Sequence, residues 1–136
     1  MIYGQLQYYN YELKAWSRLV DFHKTELNEL ITQLSILLSF PLVSLPDSKA
    51  ANKLVESLMQ HEQRFDDLLH HFEQQMQRLV YATINPDKLE PTVVHIQQAC
   101  RGKVKRYEAS FTRSRGECLT FLSAFFLPEP VATVDV

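Results

Sequence analysis

A heptad seam runs almost unbroken through three stretches of this 136-residue chain, and no other feature constrains the fold as strongly. The first seam is Tyr9, Leu13, Trp16, Val20, His23, Leu27, Leu30, Leu34, Leu37, with steps of four and three residues in alternation. That spacing keeps one stripe of an α-helix turned toward a partner. The second seam is Ala51, Val55, Leu58, Glu62, Phe65, Leu69, Phe72, Met76, Leu79, and the third is Val93, Gln97, Cys100, Val104, Tyr107, Phe111, Ser114, Cys118, Phe121, Phe125. The spacing predicts an all-α fold of three long helices with coiled-coil-like heptads. They should span about residues 4–39, 48–82 and 88–127 of a single domain covering 1–127, with 128–136 as a loosely ordered tail.

Prolines set the boundaries. Pro41 disfavours helical geometry in the residue before it, so the first helix should stop near Ser39. Between Pro41 and Pro46 the chain must reverse, and either Ser44 with Asp47 three residues on, or Asp47 alone, would cap the second helix. Asn85 before Pro86 reads as another cap and start, although Pro91 offers a second place for the third helix to begin. Connections this short force neighbouring helices to be antiparallel, which gives an up-down-up bundle. Helix one carries apolar residues beside its seam (Leu19, Phe22, Ile31, Ile36, Leu38), as does helix two (Leu54, Met59, Leu68, Val80). This width suits a self-contained bundle, and equally a larger one built by two copies across a two-fold axis. Tyr3, Tyr8, Tyr9 and Tyr11 at one end, and Phe125, Phe126 and Leu127 at the other, are the apolar surplus from which a homodimer is expected.

A net charge of −2 gives no general attraction to nucleic acid or to an anionic membrane. The longest uncharged run, Leu30 to Pro46, contains Thr32, Gln33, Ser35, Ser39 and Pro41 and falls short of the ~20 apolar residues a spanning helix needs. The start, Met1-Ile2-Tyr3-Gly4-Gln5, lacks the basic and apolar regions of a secretory signal. A soluble, cytoplasmic protein is expected. Cys100 and Cys118 would stand about 27 Å apart along one helix, too far to bridge, and their seam positions suit buried thiols.

The polar interruptions of the seams are the first candidates for function. With Leu37 opposite Ala51, His23 faces Phe65 and lies about one turn from His61 and Glu62, with Tyr107 at a similar level. A buried layer of His23, Glu62 and Tyr107 would fix helix register, because slippage by a heptad would strand a carboxylate. His23, His61 and Glu62 are also the candidates for an interior metal or small-ligand site. The His61–Glu73 segment is dense in histidine and carboxylate, but contains no Glu-x-x-His pair of the kind used in di-iron bundles. Asp66, Asp67, His70 and His71 are four-apart neighbours on the face opposite the seam, where ion pairing in solvent is the simpler account. Neither a metal nor another cofactor is expected.

Helix three is basic, with Arg101, Lys103, Lys105, Arg106, Arg113 and Arg115 against Glu108 and Glu117. Arg101, Lys105, Arg106 and Arg113 are the candidate surface for a protein partner. Nucleic acid is a weaker candidate, because no exposed aromatics interleave these cations. The chain has no Gly-rich phosphate loop, Gly-x-Ser-x-Gly elbow, Cys-x-x-Cys or His-Glu-x-x-His motif. A non-enzymatic interaction or scaffold protein is therefore the expectation.

Glu12, Trp16, Val20-Asp21-Phe22, Glu26-Leu27 and Leu30, followed by Gln60-His61-Glu62-Gln63-Arg64-Phe65, resemble a group of short, uncharacterised bacterial all-helical proteins over the first half of the chain. The resemblance implies a helical fold and carries no activity, cofactor or site residue.

Overall fold

A computed structural model describes residues 2–85 and 91–126. Its described residues form three helices packed on one another, α1 (Ile2–Leu38), α2 (Leu45–Ile84) and α3 (Pro91–Phe126), with no strand among them. At 37, 40 and 36 residues each is about 55–60 Å long. The tail 128–136, like Leu127, lies outside the described residues.

Local chemistry explains the ends. In the last turn of α1 the bonds tighten, with Ser39 N donating to Ile36 O (3.1 Å) and Phe40 N to Leu37 O (3.1 Å), immediately ahead of Pro41. Ser44 is the N-cap of α2, so the helix begins three residues earlier than position 48. Its hydroxyl accepts from Asp47 N (3.3 Å) and donates to the Asp47 carboxylate (2.7 Å). That exchange satisfies an otherwise orphaned backbone donor and places a negative charge at the positive end of the helix dipole. Pro46, in the first turn, loses no intrahelical bond. Asn85 does not start α3; it is the C-cap of α2, its N–H donating to Tyr81 O at 3.0 Å. α3 begins at Pro91, the later of the two candidate starts.

The first seam is buried along its whole length except for half-buried Trp16, and Leu6 extends it by one step. α2 differs from expectation. Its buried column is Ala51, Leu58, His61, Phe65, Leu68, Phe72, Gln75, Leu79 and Ala82, while Val55, Glu62, Leu69 and Met76 are only half-buried. The cause is position: α2 packs against both other helices, whereas α1 and α3 make fewer contacts with each other. A helix between two neighbours needs three inward columns instead of two. The shared column Ala51, Leu58, Phe65, Phe72, Leu79 is flanked by one bearing His61 and Gln75, which bond to α3, and one bearing Glu62, near Asp66 and Lys24 of α1. In α3 the seam is buried at Val93, Gln97, Cys100, Val104, Phe111 and Cys118 and half-buried at Tyr107, Ser114 and Phe121; Leu122 takes the last buried position, and Phe125 is exposed.

Candidate functional site

Two polar layers interrupt the core, about 16 Å apart along α1. The first is built on two glutamines with no exposed surface, Gln75 and Gln97. Gln75 Nε2 donates to Gln97 Oε1 (3.1 Å) and to Val93 O (2.9 Å), and its Oε1 accepts from Arg78 Nη1 (3.4 Å). Gln97 Nε2 donates to Tyr9 O (3.2 Å) and to Glu12 Oε1 (3.1 Å), so one side chain ties α3 to both other helices. Glu12 is nearly buried and is held in bidentate fashion by Arg101, through Nε (3.0 Å) and Nη2, while the guanidinium sits 5.9 Å from the Trp16 ring centre. The carboxylate raises the pKa of Arg101 by its hydrogen bond, so the cation is permanent.

The second layer contains the two buried histidines. His23 stacks on Phe65 (5.9 Å, 20°) and leans on Phe111 (5.3 Å), which itself meets Phe65 edge-on (5.4 Å, 76°). Its Nδ1 lies 3.4 Å from Glu26 and its Nε2 3.0 Å from Glu108, so carboxylates of α1 and α3 bracket the ring. Glu26 also accepts from Arg115 (3.1 Å). His61 presents Nε2 to the Ser114 hydroxyl at 2.8 Å, with Ser57 3.4 Å from the same oxygen. Nδ1 of His61 is buried and has no hydrogen-bond partner. Burial, with a smaller contribution from Arg64, pushes the pKa of His61 below its ordinary 6.5.

Of the expected layer of His23, Glu62 and Tyr107, only His23 is a buried member. Glu62 is half-buried on the α1 side of α2, where its charge helps hold the Lys24 ammonium beside Asp66, and Tyr107 is half-buried with the Arg64 guanidinium 5.8 Å from its ring centre. Glu108, Ser114, Glu12 and Gln75 are the members that sequence reasoning missed. Gln75 is buried because α2 lies between two partners and this column faces α3. Glu12 and Arg101 carried a usable signal, opposite charges flanking the α1 and α3 seams. Arg101 therefore belongs to the interior pairings and not to an outward surface, whereas Lys105, Arg106 and Arg113 are exposed.

The Ser114–His61 distance suits a nucleophile and its base. Two features oppose that chemistry. Ser114 lies in mid-helix, where neighbouring N–H groups are committed to the helical ladder and cannot hold an oxyanion, and His61 Nδ1 has no carboxylate to stabilise an imidazolium. The thiols are likewise unsuited to attack: burial raises the pKa of Cys100, and burial with Glu117 pushes Cys118 up to about 11. Among the described residues no group of three or more His, Cys, Asp or Glu side chains could hold a metal ion, and no helix is long and apolar enough to cross a membrane.

The fold and its polar layers define an all-helical three-helix bundle. No protein-family model, curated protein or solved structure matches the chain.

Proposed function

We propose that this chain is a non-enzymatic interaction or scaffold protein of the cytoplasm, an up-down-up bundle that pairs with a second copy of itself. The up-down-up reading is supported by contacts in which α1 numbers rise as α2 numbers fall, Trp16 with Phe72 and Lys24 with Asp66, while α1 and α3 numbers rise together, Glu12 with Arg101 and Glu26 with Arg115. The observation that carries the interaction reading is the distribution of exposed apolar side chains. Tyr3, Tyr8, Tyr11, Val80, Tyr81 and Ile84 fall at one end of such a bundle, and Ile36, Phe40, Leu42, Leu45, Leu119 and Phe125 at the other, with Phe22 and Met59 exposed between them. Concentrated apolar surface of this kind marks contact with another protein. Tyr9, counted in the first group from sequence, is buried and drops out; Phe126 and Leu127 have no described side chains.

Light scattering on the intact chain should give twice the monomer mass, and Leu45→Lys with Leu119→Lys should return it to the monomer without loss of helicity. A monomer at every concentration where a micromolar dimer would form overturns the pairing. A second reading, an interior site for a metal or small ligand, has the partnerless Nδ1 of His61 in its favour and has lost Glu62 as a neighbour. Reproducible excess mass in native mass spectrometry, abolished by His61→Leu, would support it.

A further inference from the structure

The cations of α3 divide into two sets. Arg101 and Arg115 turn toward α1 and are matched by Glu12 and Glu26. Lys103, Arg106 and Arg113 stand at three- and four-residue multiples along another face, and α2 contributes Arg64 and Arg78. Among the described residues none of these five forms an ion pair. Arg78, His71 and Gln74 of α2 and Lys103 of α3 line an open groove of about 310 Å³ between the two helices, and Ile96, Ala99 and Cys100 are its apolar lining, with Cys100 buried, Ile96 half-buried and Ala99 exposed. Arg64 lies over Tyr107 further along the two helices. The nearby carboxylate of α2, Asp67, accepts from Gln63 at 3.2 Å.

We infer that the outer α2/α3 groove docks an acidic amphipathic helix of a partner protein. The apolar floor takes the helix's hydrophobic stripe, and the unmatched cations on both rims take its carboxylates. A groove between two helices is the natural seat for a further helix. Arg78 on one rim and Lys103 on the other, neither in an ion pair among the described residues, select against a basic occupant. A nucleic acid would use the cations but not a floor of Ile96 and Ala99, so the floor favours protein. The inference rests on the interaction reading above and names the chemistry of one partner.

The test uses the full chain and a fluorescent peptide of about 20 residues, leucine on one helical face and glutamate on the other. Controls are the lysine-for-glutamate peptide and a single-stranded DNA of equal charge. Saturable binding of the acidic peptide alone is expected. It should weaken roughly tenfold in Arg78→Gln with Lys103→Gln, and should leave Lys49→Gln with Lys53→Gln, on the first turns of α2, unaffected. Raising salt from about 0.1 M to about 1 M, which shortens the screening length from about 10 Å to about 3 Å, should weaken it in the wild-type chain and so needs no variant to fold. Failure to bind the acidic peptide, equal binding of the lysine peptide, or indifference to the groove substitutions overturns the inference. So does tighter binding of the DNA lost through the same substitutions. Light scattering on the same samples separates the two levels: a self-associated chain that ignores the peptide overturns the groove alone, and a monomer that ignores it overturns the interaction reading as well.

Discussion

The glutamine layer and the histidine layer interrupt the same apolar core, yet they treat buried polarity in opposite ways. Around Gln75 and Gln97 every amide hydrogen-bonding group meets a partner, and no amide titrates in the physiological range. Around His23 and His61 the central groups are imidazoles, His23 between two carboxylates and His61 on the Ser114 hydroxyl, and one buried nitrogen is left over. A satisfied layer specifies register, because a heptad slip would separate Gln97 from Gln75, Tyr9 O and Glu12 together. A layer with an orphan atom specifies less and makes stability depend on protons. Burial alone therefore does not rank polar residues: His61, 4% exposed, and Gln97, 0% exposed, should differ greatly in what they contribute to stability.

The largest effect should follow from breaking the satisfied layer. Gln97→Ala removes hydrogen bonds to two helices and opens a void, and should destabilise the protein by about 3 kcal/mol in denaturant unfolding. Gln97→Met keeps the volume and should cost less, about 1–2 kcal/mol, and adding Gln75→Met should recover part of that because no amide is then left half-bonded. A Gln97→Ala cost under about 1 kcal/mol would mean that the two layers are equivalent.

The histidine side of the comparison is tested by removal. His61→Leu discards an orphan nitrogen and adds apolar contact with Phe111, and should fall between no change and a gain of about 1 kcal/mol. The double variant His23→Leu with His61→Leu should also keep or raise the melting temperature, because Glu26 retains Arg115 and Glu108 is exposed enough to be hydrated. A loss comparable to that of Gln97→Ala would show that the imidazoles hold the bundle together as firmly as the amides do.

The sequence pointed to the two histidines of this contrast and to neither glutamine as a layer, for a definable reason. The α1 seam could be read residue by residue because His23 is its one polar member, so that phase stands out even with Leu19, Ile31 and Leu38 beside it. In α2 two phases compete: the column Val55, Glu62, Leu69, Met76 has one polar member and the column Leu54, His61, Leu68, Gln75, Ala82 has two, so hydrophobicity pointed to the column facing α1 and away from the one facing α3. Periodicity reports that a stripe is buried, and cannot report that a helix has two partners. His23 was found because it interrupts an unambiguous seam. Ser114 also interrupts a seam, but a small hydroxyl in a seam carries no sign of its partner; Glu108 was missed because a half-buried polar residue looks the same in sequence whether it meets solvent or a buried imidazole.

Protonation sharpens the difference. The pKa of His61 is lowered in the folded state, chiefly by burial, so the unfolded chain binds the proton more readily. Stability from this residue is therefore complete above the unfolded value near 6.5 and falls as pH drops through that value toward the lower folded one. The slope can reach about 1.4 kcal/mol per pH unit for one proton. Unfolding free energies measured between about pH 7 and pH 5 should fall more steeply for the wild type than for His61→Leu, whereas Gln97→Met should keep the wild-type slope. Parallel profiles for wild type and His61→Leu would remove His61 as the source.

The smallest effect should be visible through the two thiols, which sit close to the two layers. Cys100 follows Gln97 by one turn and Cys118 follows Ser114 by one turn, both nearly or fully buried and both with raised pKa values. Each residue is 3% exposed or less, even though Cys100 touches the α2/α3 groove, so reaction with a thiol reagent is limited by opening of the surroundings and the labelling rate reports that opening. If the glutamine layer holds its part of the bundle more tightly, Cys118 in a Cys100→Ser background should label faster than Cys100 in a Cys118→Ser background, once the rates are corrected for the thiolate fraction of the unfolded chain. His61→Leu should then slow Cys118 and leave Cys100 unchanged, while Gln97→Met should speed Cys100. Equal corrected rates would mean that the bundle opens as one unit, and the distinction between the layers would then be one of chemistry without any difference in local stability.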